Sequence, residues 1–373
     1  MQTDKVTSFQ LLVLVTFFTI GSSILYIPST LTIEVQQDAW VAAIIGVLLG
    51  LLVVWFFTTI SLWFPKLTYT EVIEKIFGKF LGKLISLLFV FMAILYASAL
   101  IAQSSIFLNI QMYPKTPIAY ISLLLVLIVI LAVRLGIQTI ARSAEIFVFP
   151  YFLLFIFLVV TISPQIEMGN IEPFFQTNIS SLLNSSFKLT AVSTINSIVL
   201  FMIFPAFVND LKKSRKSFYI GTLIGGAVIV TITMLCIFVL GPHTTLRQIY
   251  PSYTLAKVIN IGDFITRIEA FMATLWTIAL FFKVVLYFYA GLLGLSKILN
   301  IKEYRVLTFP VGSIVLGTSI ILYPNILYQN TFNEKIAIAL TIIVGLLCPL
   351  LATIVFLLRK KKLKKDPDYA NSN

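Results

Sequence analysis

The first apolar run of the sequence is interrupted by Ile20-Gly21-Ser22-Ser23-Ile24-Leu25-Tyr26-Ile27-Pro28. The run covers residues 9–33, long enough to cross a membrane as a helix. Gly21 tolerates unusual backbone angles, and Pro28 removes an N–H donor and bends the chain. We therefore expect a broken helix. Because lipid cannot satisfy exposed backbone N–H and C=O groups, such a break is tolerable only where it lines a cavity or meets a ligand.

The composition of the whole chain agrees with a membrane protein. Hydrophobic residues make up 59% of the 373 residues and charged residues only 11%, whereas soluble domains have about 45–50% and about 25%. The charged residues are too few to cover soluble domains, which excludes a disordered chain, a disulfide-stapled secreted scaffold and a nucleic-acid-binding domain. The fold class predicted is an all-α polytopic membrane protein.

Ten apolar stretches predict ten transmembrane helices in one domain of residues 1–358, followed by a basic tail, 359–373. Because the first stretch continues to residue 33, a retained helix fits better than a signal peptide. The two longest connections, 163–186 and 241–266, are expected to carry short surface helices. The ten stretches are residues 9–33, 39–63, 84–111, 118–133, 144–161, 187–208, 220–240, 270–295, 306–323 and 336–358.

The net charge of +12 is distributed unevenly between the two ends of these spans. One set of ends carries 20 Lys and Arg residues and the opposite set carries 6. Since basic residues gather in cytoplasmic loops, both termini are predicted to be cytoplasmic. Arg142 and Glu145, three residues apart on this side, are expected to form an interfacial ion pair.

The sixth span is interrupted at the place that corresponds to the break in the first. Its first half is polar, with Ser193, Asn196 and Ser197, and an apolar run then reaches Pro205. Five spans per half place the halves in inverted orientation, as repeat 1 (about 9–161) and repeat 2 (about 187–358). Matching breaks in inverted halves point to a transporter-type binding site. The alternative for both spans is that small residues only allow close helix packing.

Half-helix ends explain what such a site could bind. Half-helix N-termini suit a carboxylate, and freed carbonyls suit an ammonium group, so the pair suits a zwitterionic amino acid. In span 1, Gly21, Ser22 and Ser23 would offer backbone donors, and the polar residues of span 6 would face them.

Lys283 is the one charged residue well inside a predicted span. It lies about 18 Å of helix rise from the nearer end of the eighth span, too far for easy snorkelling, so it is expected to face the protein interior or a watery cavity. Trp276, seven residues earlier, shares its face, and Thr277 lies beside Trp276. Glu269 is expected to be solvated near the interface. In the third span, Tyr96 and Gln103 could line the same cavity or join helices by hydrogen bonds.

Few residues support catalysis or metal binding. The chain has one histidine, His243, in a connection, and two cysteines, Cys236 and Cys348, inside apolar runs. It offers no paired carboxylates, nucleophile–base set or metal-ligand spacing. We therefore expect no enzyme activity, no metal and no cofactor.

The order of several motifs resembles the B subunits of spore germinant receptors, which are endospore germination permeases of the amino acid–polyamine–organocation superfamily. The resemblance covers nearly the whole chain. It rests on the ten spans together with the motifs Ile20-Gly21-Ser22-Ser23-Ile24-Leu25 before Pro28, Arg142-x-x-Glu145 before Pro150, Phe204-Pro205 before the basic loop 212–216, and Trp276…Phe282-Lys283…Tyr287-x-Tyr289. Superfamily transporters usually have a second glycine where this chain has Ser23.

The resemblance implies a five-plus-five inverted repeat with broken spans 1 and 6, and a pocket made by spans 1, 3, 6 and 8. It also implies an A subunit and a lipoprotein C subunit as partners, the inner membrane of the spore as the location, and a small nutrient, often an amino acid, as the ligand. A nutrient-sensing receptor subunit and a proton-coupled amino acid permease both remain open. Lys283 would supply positive charge where sodium-coupled relatives place an ion, which predicts sodium-independent binding.

Overall fold

The computed structural model describes residues 5–173, 175–258, 268–363 and 369. Within these ranges every regular element is a helix, apart from one isolated parallel bridge between Val6 and Val208. Several residues of the predicted basic tail, 364–368 and 370–373, lie outside the described residues, as does Arg267 in the connection before span 8.

The ten predicted spans are confirmed. Nine helical stretches of the described residues are long and apolar enough to cross a membrane, and one of them, Ser23–Ser61, joins the second half of span 1 to span 2. The first half of span 1, Ser8–Ile20, is a shorter apolar helix, so that the nine stretches and this helix together make up ten spans. The bounds are span 1, Ser8–Ile20 and Ser23–Val35; span 2, Ala39–Ser61; span 3, Lys79–Gln111; span 4, Ile118–Leu135; span 5, Ile137–Ile162; span 6, Ile179–Ser193 and the 3₁₀-helix Ile195–Met202; span 7, Leu211–Leu235; span 8, Glu269–Ile298; span 9, Thr308–Ile321; and span 10, Ile326–Thr331 to Cys348–Leu363.

Spans 4 and 5 are longer than their apolar stretches predicted. Gly136 separates them with a φ of +91°, a left-handed conformation that glycine adopts without strain. Polar residues such as Gln138 and Arg142 therefore belong to the first turns of span 5 rather than to a loop. Hydropathy alone places the start of span 5 too late in the sequence. It marks where the polar and charged residues end, not where the backbone turns.

Spans 6 and 8 are deeply buried, whereas spans 4, 5 and 9 expose most of their residues to the outside of the bundle. Span 8 packs along span 3, and the first half of span 1 packs along span 7. The two broken spans and span 8 therefore meet at the centre, which is where a site enclosed by protein can form.

We call the end of the bundle that carries Lys66, Lys212 and Lys297 the basic side, and the other end the opposite side. On the basic side, Val6 N donates to Phe207 O at 2.7 Å. Phe17 stacks on Phe282 with ring centroids 5.0 Å apart. These contacts join spans 1, 6 and 8 below the break and close the bundle there.

Span 1 is also tied to span 5 on the basic side. The expected partner of Glu145 was Arg142, but the Glu145 carboxylate instead accepts a hydrogen bond from Gln10 Nε2 at 3.1 Å, and Arg142 is exposed. An i, i+3 spacing makes an intrahelical pair possible. The spacing does not show that span 1 lies beside Glu145 and offers it another donor.

A short helix, Tyr69–Phe77, links spans 2 and 3 on the basic side. Glu71 in its first turn accepts from Lys297 Nζ at 2.7 Å and from Thr68 Oγ1 at 2.7 Å. Burial alone would raise the pKa of the Glu71 carboxyl, but these hydrogen bonds together hold that pKa below its ordinary value. The helix is thereby attached to the end of span 8.

On the opposite side, the two long connections carry short helices, as expected. The first contains 3₁₀-helices at Ser163–Gln165 and Met168–Ile171, and the second contains Gly241–Arg247 and Pro251–Lys257. The expectation of surface helices is wrong for the last of these. It is largely buried, because it packs against the second half of span 1 and against span 8.

Candidate ligand-binding site

A cavity of about 300 Å³ begins at the breaks in spans 1 and 6 and extends to the connections on the opposite side. Its floor includes Ser22, Ser23, Asn196 and Lys283, which lie midway along their spans. Its mouth is lined by residues of the opposite-side connections, among them Arg247, Gln248, Asn330 and Glu334. The cavity is therefore approached from the opposite side and is closed below by the packing on the basic side.

Gly21, in the break of span 1, makes room for the Lys283 side chain. The first half ends at Ile20, and the second half begins at Ser23. A Cβ atom on Gly21 would lie 2.3 Å from Lys283 Cδ, so only glycine lets the lysine side chain pass. The first-turn N–H groups of the second half have no carbonyl of a preceding turn to bond, and they lie at the positive end of a helix dipole.

The break in span 6 presents the opposite polarity. The α-helix ends at Ser193, and a 3₁₀-helix continues from Ile195. The last carbonyls of an α-helix lack intrahelical donors and carry partial negative charge. One of them, Val192 O, accepts a hydrogen bond from Lys283 Nζ at 3.1 Å.

Lys283 joins the two breaks. Its side chain is only 1% exposed, and Nζ donates to Ser22 Oγ at 3.3 Å as well as to Val192 O. The ammonium also lies 5.0 Å from the centre of the Phe18 ring, within range of a cation–π contact. An ammonium has three donors, and these two bonds use two of them. The third can therefore serve a ligand in the cavity.

A chain of hydrogen bonds connects the break in span 6 to spans 3 and 10. Thr341 Oγ1 donates to Asn196 Oδ1 at 2.9 Å and lies 2.8 Å from Tyr96 OH. Tyr96 OH donates to Ala337 O at 2.5 Å. Ala337 ends a π-helical segment, Phe332–Ala337, and such segments often occur at functional sites. Span 10 thus forms one wall of the cavity.

Ser23 supplies an unsatisfied polar atom at the floor. Its side chain is fully buried and lines the cavity, yet no described residue hydrogen-bonds Ser23 Oγ. A buried hydroxyl without a partner is costly, so it normally meets protein, water or ligand. Together with the neighbouring helix N-terminus, this atom gives the floor groups that can hydrogen-bond a polar molecule.

Five of the ten site residues that the sequence predicted line the cavity, and five do not. Those that line it are Ser22, Ser23, Tyr96, Asn196 and Lys283. Gly21 lies beneath the Lys283 side chain, Ser193 Oγ donates to Leu189 O, and the buried Ser197 Oγ has no hydrogen-bond partner among the described residues. Thr277 Oγ1 donates to Ala273 O within its own helix, and Trp276 packs against Phe107 with ring centroids 4.6 Å apart.

The sequence reasoning missed the contribution of span 10 and of the connection before span 8. Thr341 is a polar residue within an apolar stretch, a signal comparable to the one that identified Tyr96. Residues 246–249 carry no such signal, because a loop reaches a cavity only through the tertiary fold.

Ten spans in two inverted halves, with the first span of each half broken beside a central cavity, define a membrane protein of the transporter fold. Similar solved structures include Mhp1, a nucleobase-cation-symport-1 family transporter, with a TM-score of 0.74, 12% identity and coverage of 100% of this chain and 85% of that chain. MhsT in complex with L-phenylalanine has a TM-score of 0.66, 12% identity and coverage of 94% and 98%. At this identity the likeness concerns the fold.

The chain belongs to the spore germination protein family, whose model matches residues 5–327. It is 30% identical to spore germination protein KB of Bacillus subtilis (strain 168), over 98% of each chain. It is 26% identical to the putative spore germination protein YfkT of the same organism, over 96% of this chain and 97% of the relative. It is 25% identical to spore germination protein GerLB of Bacillus cereus, over 87% of each. The protein is therefore a multi-pass, permease-like membrane protein of spore germination.

Proposed function

We propose that this protein is the nutrient-sensing membrane subunit of a spore germination receptor, and that it binds an amino acid or similar small molecule at the breaks in spans 1 and 6. The observation that carries the proposal is Lys283. A buried ammonium joins the two broken ends and keeps one donor for the cavity. A charged group in the middle of a membrane-spanning helix is costly and usually functional.

The chemistry of the floor favours a carboxylate. The Lys283 ammonium and the first-turn N–H groups of the second half of span 1 are donors, and the Ser23 hydroxyl can also donate. The volume, about 300 Å³, is at the lower end of the range for ligand pockets and suits a small metabolite. An amino acid would place its carboxylate at this floor and its side chain toward the wall of the cavity that contains Tyr96.

The second candidate is a proton-coupled amino acid permease, which the transporter fold favours. For both candidates we propose sodium-independent binding. The Lys283 side chain contacts both breaks, and when it is protonated it places a positive charge there, so a bound sodium ion beside it would be repelled.

We further propose that the basic side faces the cytoplasm, that both termini lie there, and that the protein acts in the inner membrane of the spore with an A subunit and a lipoprotein C subunit. The uneven distribution of basic residues supports this orientation. Single cysteines on the opposite side should react with an impermeant maleimide added outside; the positions are Gln37, Gly169 and Asn330. Cysteines at Lys213 and Lys302 should not react, and outside labelling of either would overturn the orientation.

Purified protein in proteoliposomes separates the two candidates. Binding is measured with a mixture of the twenty radiolabelled amino acids, and uptake is measured with the same mixture under an imposed proton gradient. Saturable binding without uptake supports the sensing subunit. Uptake that depends on the gradient supports the permease, and absence of binding in a folded sample contradicts both.

A further inference from the structure

We propose that Ser252 is a positioning residue for the candidate site: its hydroxyl replaces the N–H group that Pro28 lacks and thereby holds the second half of span 1 against the connection before span 8. The part of this inference that concerns ligand binding rests on the proposed function. The structural part does not.

The need for such a residue comes from the backbone of span 1. In an α-helix the carbonyl of residue i accepts from the N–H of residue i+4. Pro28 lies inside the helix Ser23–Val35, so the carbonyl of Ile24 cannot receive its usual bond. Ile24 is fully buried, so water does not replace that bond. Within membranes, Ser and Thr side chains of neighbouring elements satisfy carbonyls freed in this way.

Ser252 fulfils that role across the fold. Its Oγ donates to Ile24 O at 2.6 Å, although the two residues are 228 positions apart, and Ser252 is itself fully buried. It lies in the helix Pro251–Lys257, which packs against the second half of span 1. A buried helix in a connection on the opposite side thus contacts span 1 at a carbonyl that is free because Pro28 has no N–H group.

Aromatic rings hold the connection in place beside this bond. Tyr250 lies edge-on to Tyr26 of span 1, with centroids 5.4 Å apart, and to Phe107 of span 3, at 5.0 Å. Phe107 in turn packs on Trp276 of span 8. Trp276, which the sequence assigned to the ligand, therefore belongs to the support of this connection.

The bond links the floor of the cavity to its mouth. Ile24 directly follows Ser23, which lines the floor, and residues 246–249, which line the mouth, end one residue before the helix Pro251–Lys257 that carries Ser252. A shift of the second half of span 1 would therefore move the connection at the mouth. Ser252 would set both the orientation of the first-turn N–H groups and the access to them.

A double-mutant cycle tests the structural part by hydrogen–deuterium exchange of the protein in nanodiscs. Ser252→Ala should speed exchange of the amides of residues 29–35 about tenfold, because a buried carbonyl loses its donor. Pro28→Ala restores the missing N–H, so in that background the same substitution should change exchange less than about twofold. Ser252→Thr, which keeps the hydroxyl, should behave like the wild type.

Ser104→Ala is the matched control, because Ser104 is buried and its hydroxyl donates to Leu100 O of its own helix. It should leave exchange of residues 29–35 unchanged. If Ser252→Ala fails to accumulate but Pro28→Ala/Ser252→Ala accumulates, the inference is supported. Equal effects of Ser252→Ala in both backgrounds, or failure of both variants to fold, would overturn it.

The ligand part is measured as the germination response of spores to an equimolar mixture of the twenty amino acids. Ser252→Ala should raise the half-maximal concentration about tenfold and leave the maximal response unchanged. A change in exchange without a change in this concentration overturns the ligand part of the inference. Absence of any wild-type response to the mixture contradicts the proposed function and leaves the exchange result as the test of Ser252.

Discussion

Replacement of Lys283 by methionine removes the charge at the centre of the candidate site and keeps an unbranched side chain of similar length. The wild-type ammonium donates to Val192 O and to Ser22 Oγ and lies over the Phe18 ring. Methionine can occupy the same channel beside Gly21, where the Lys283 stem lies. The substitution therefore tests the charge rather than the packing.

For the stability of the variant, the loss of hydrogen bonds and the avoided cost of burying a charge have opposite effects. Loss of two hydrogen bonds to an ammonium removes about 1.5–3 kcal/mol each and leaves Val192 O without that donor. Insertion of a charged lysine at the centre of a membrane helix costs about 2.5–3.5 kcal/mol, which methionine avoids. The two lost bonds total about 3–6 kcal/mol, and the avoided burial of the charge offsets a large part of that loss, so we expect the variant to accumulate and fold.

Ligand binding has no such compensation. The hydrogen bond from the third Lys283 donor to a carboxylate is charge-assisted and is worth about 1.5–3 kcal/mol. Its loss should weaken binding about 10- to 100-fold. The assay is the half-maximal concentration of the amino acid mixture for germination, together with binding of the same mixture to purified protein.

Lys297→Met is the control, because Lys297 lies on the same helix, pairs with Glu71 and does not line the cavity. It should alter the attachment of the Tyr69–Phe77 helix without changing the half-maximal concentration. A normal response by Lys283→Met at wild-type protein level would refute the role of the charge. A sodium requirement in the wild type would refute the related proposal that this charge replaces an ion.

Three further predictions concern the surroundings of the site. Gly21→Ala should lower the free energy of unfolding by about 1–3 kcal/mol by overpacking Lys283, measured by thermal unfolding in detergent; Gly317→Ala, whose Cβ would meet open space, should not. Thr341→Val should remove the link between Tyr96 and Asn196 and weaken binding of the amino acid mixture about tenfold, whereas Thr353→Val on the same span should leave affinity unchanged. The lowered pKa of Glu71 predicts that this carboxylate stabilises the fold at pH values above its ordinary pKa and that the stabilisation is lost as pH falls through the lowered pKa. The free energy of unfolding of the wild type should therefore decline over this pH interval more than that of Glu71→Gln. An equal or smaller decline in the wild type would contradict this.

The sequence by itself determined the membrane class, the ten spans and the break in span 1. Each of these depends on residues close together in the chain: an apolar run of sufficient length predicts a span, and Gly21 followed by Pro28 predicts a break. The interior position of Lys283 could also be inferred, because its distance from both ends of the span follows from helix rise alone. Boundaries were less accurate, as at Gly136, where a backbone turn rather than a change in hydropathy ends the helix.

Only the tertiary structure decided which of the predicted polar residues share a cavity. Trp276 and Lys283 lie seven residues apart, yet Lys283 reaches the breaks whereas Trp276 packs on Phe107. Helical periodicity predicts which residues share a face of a helix. It does not predict how far a cavity extends along that face or which neighbouring helix covers each turn. The Lys283–Val192 and Ser252–Ile24 bonds end on backbone carbonyls, which every residue possesses, so no pattern of side chains could have identified these partners.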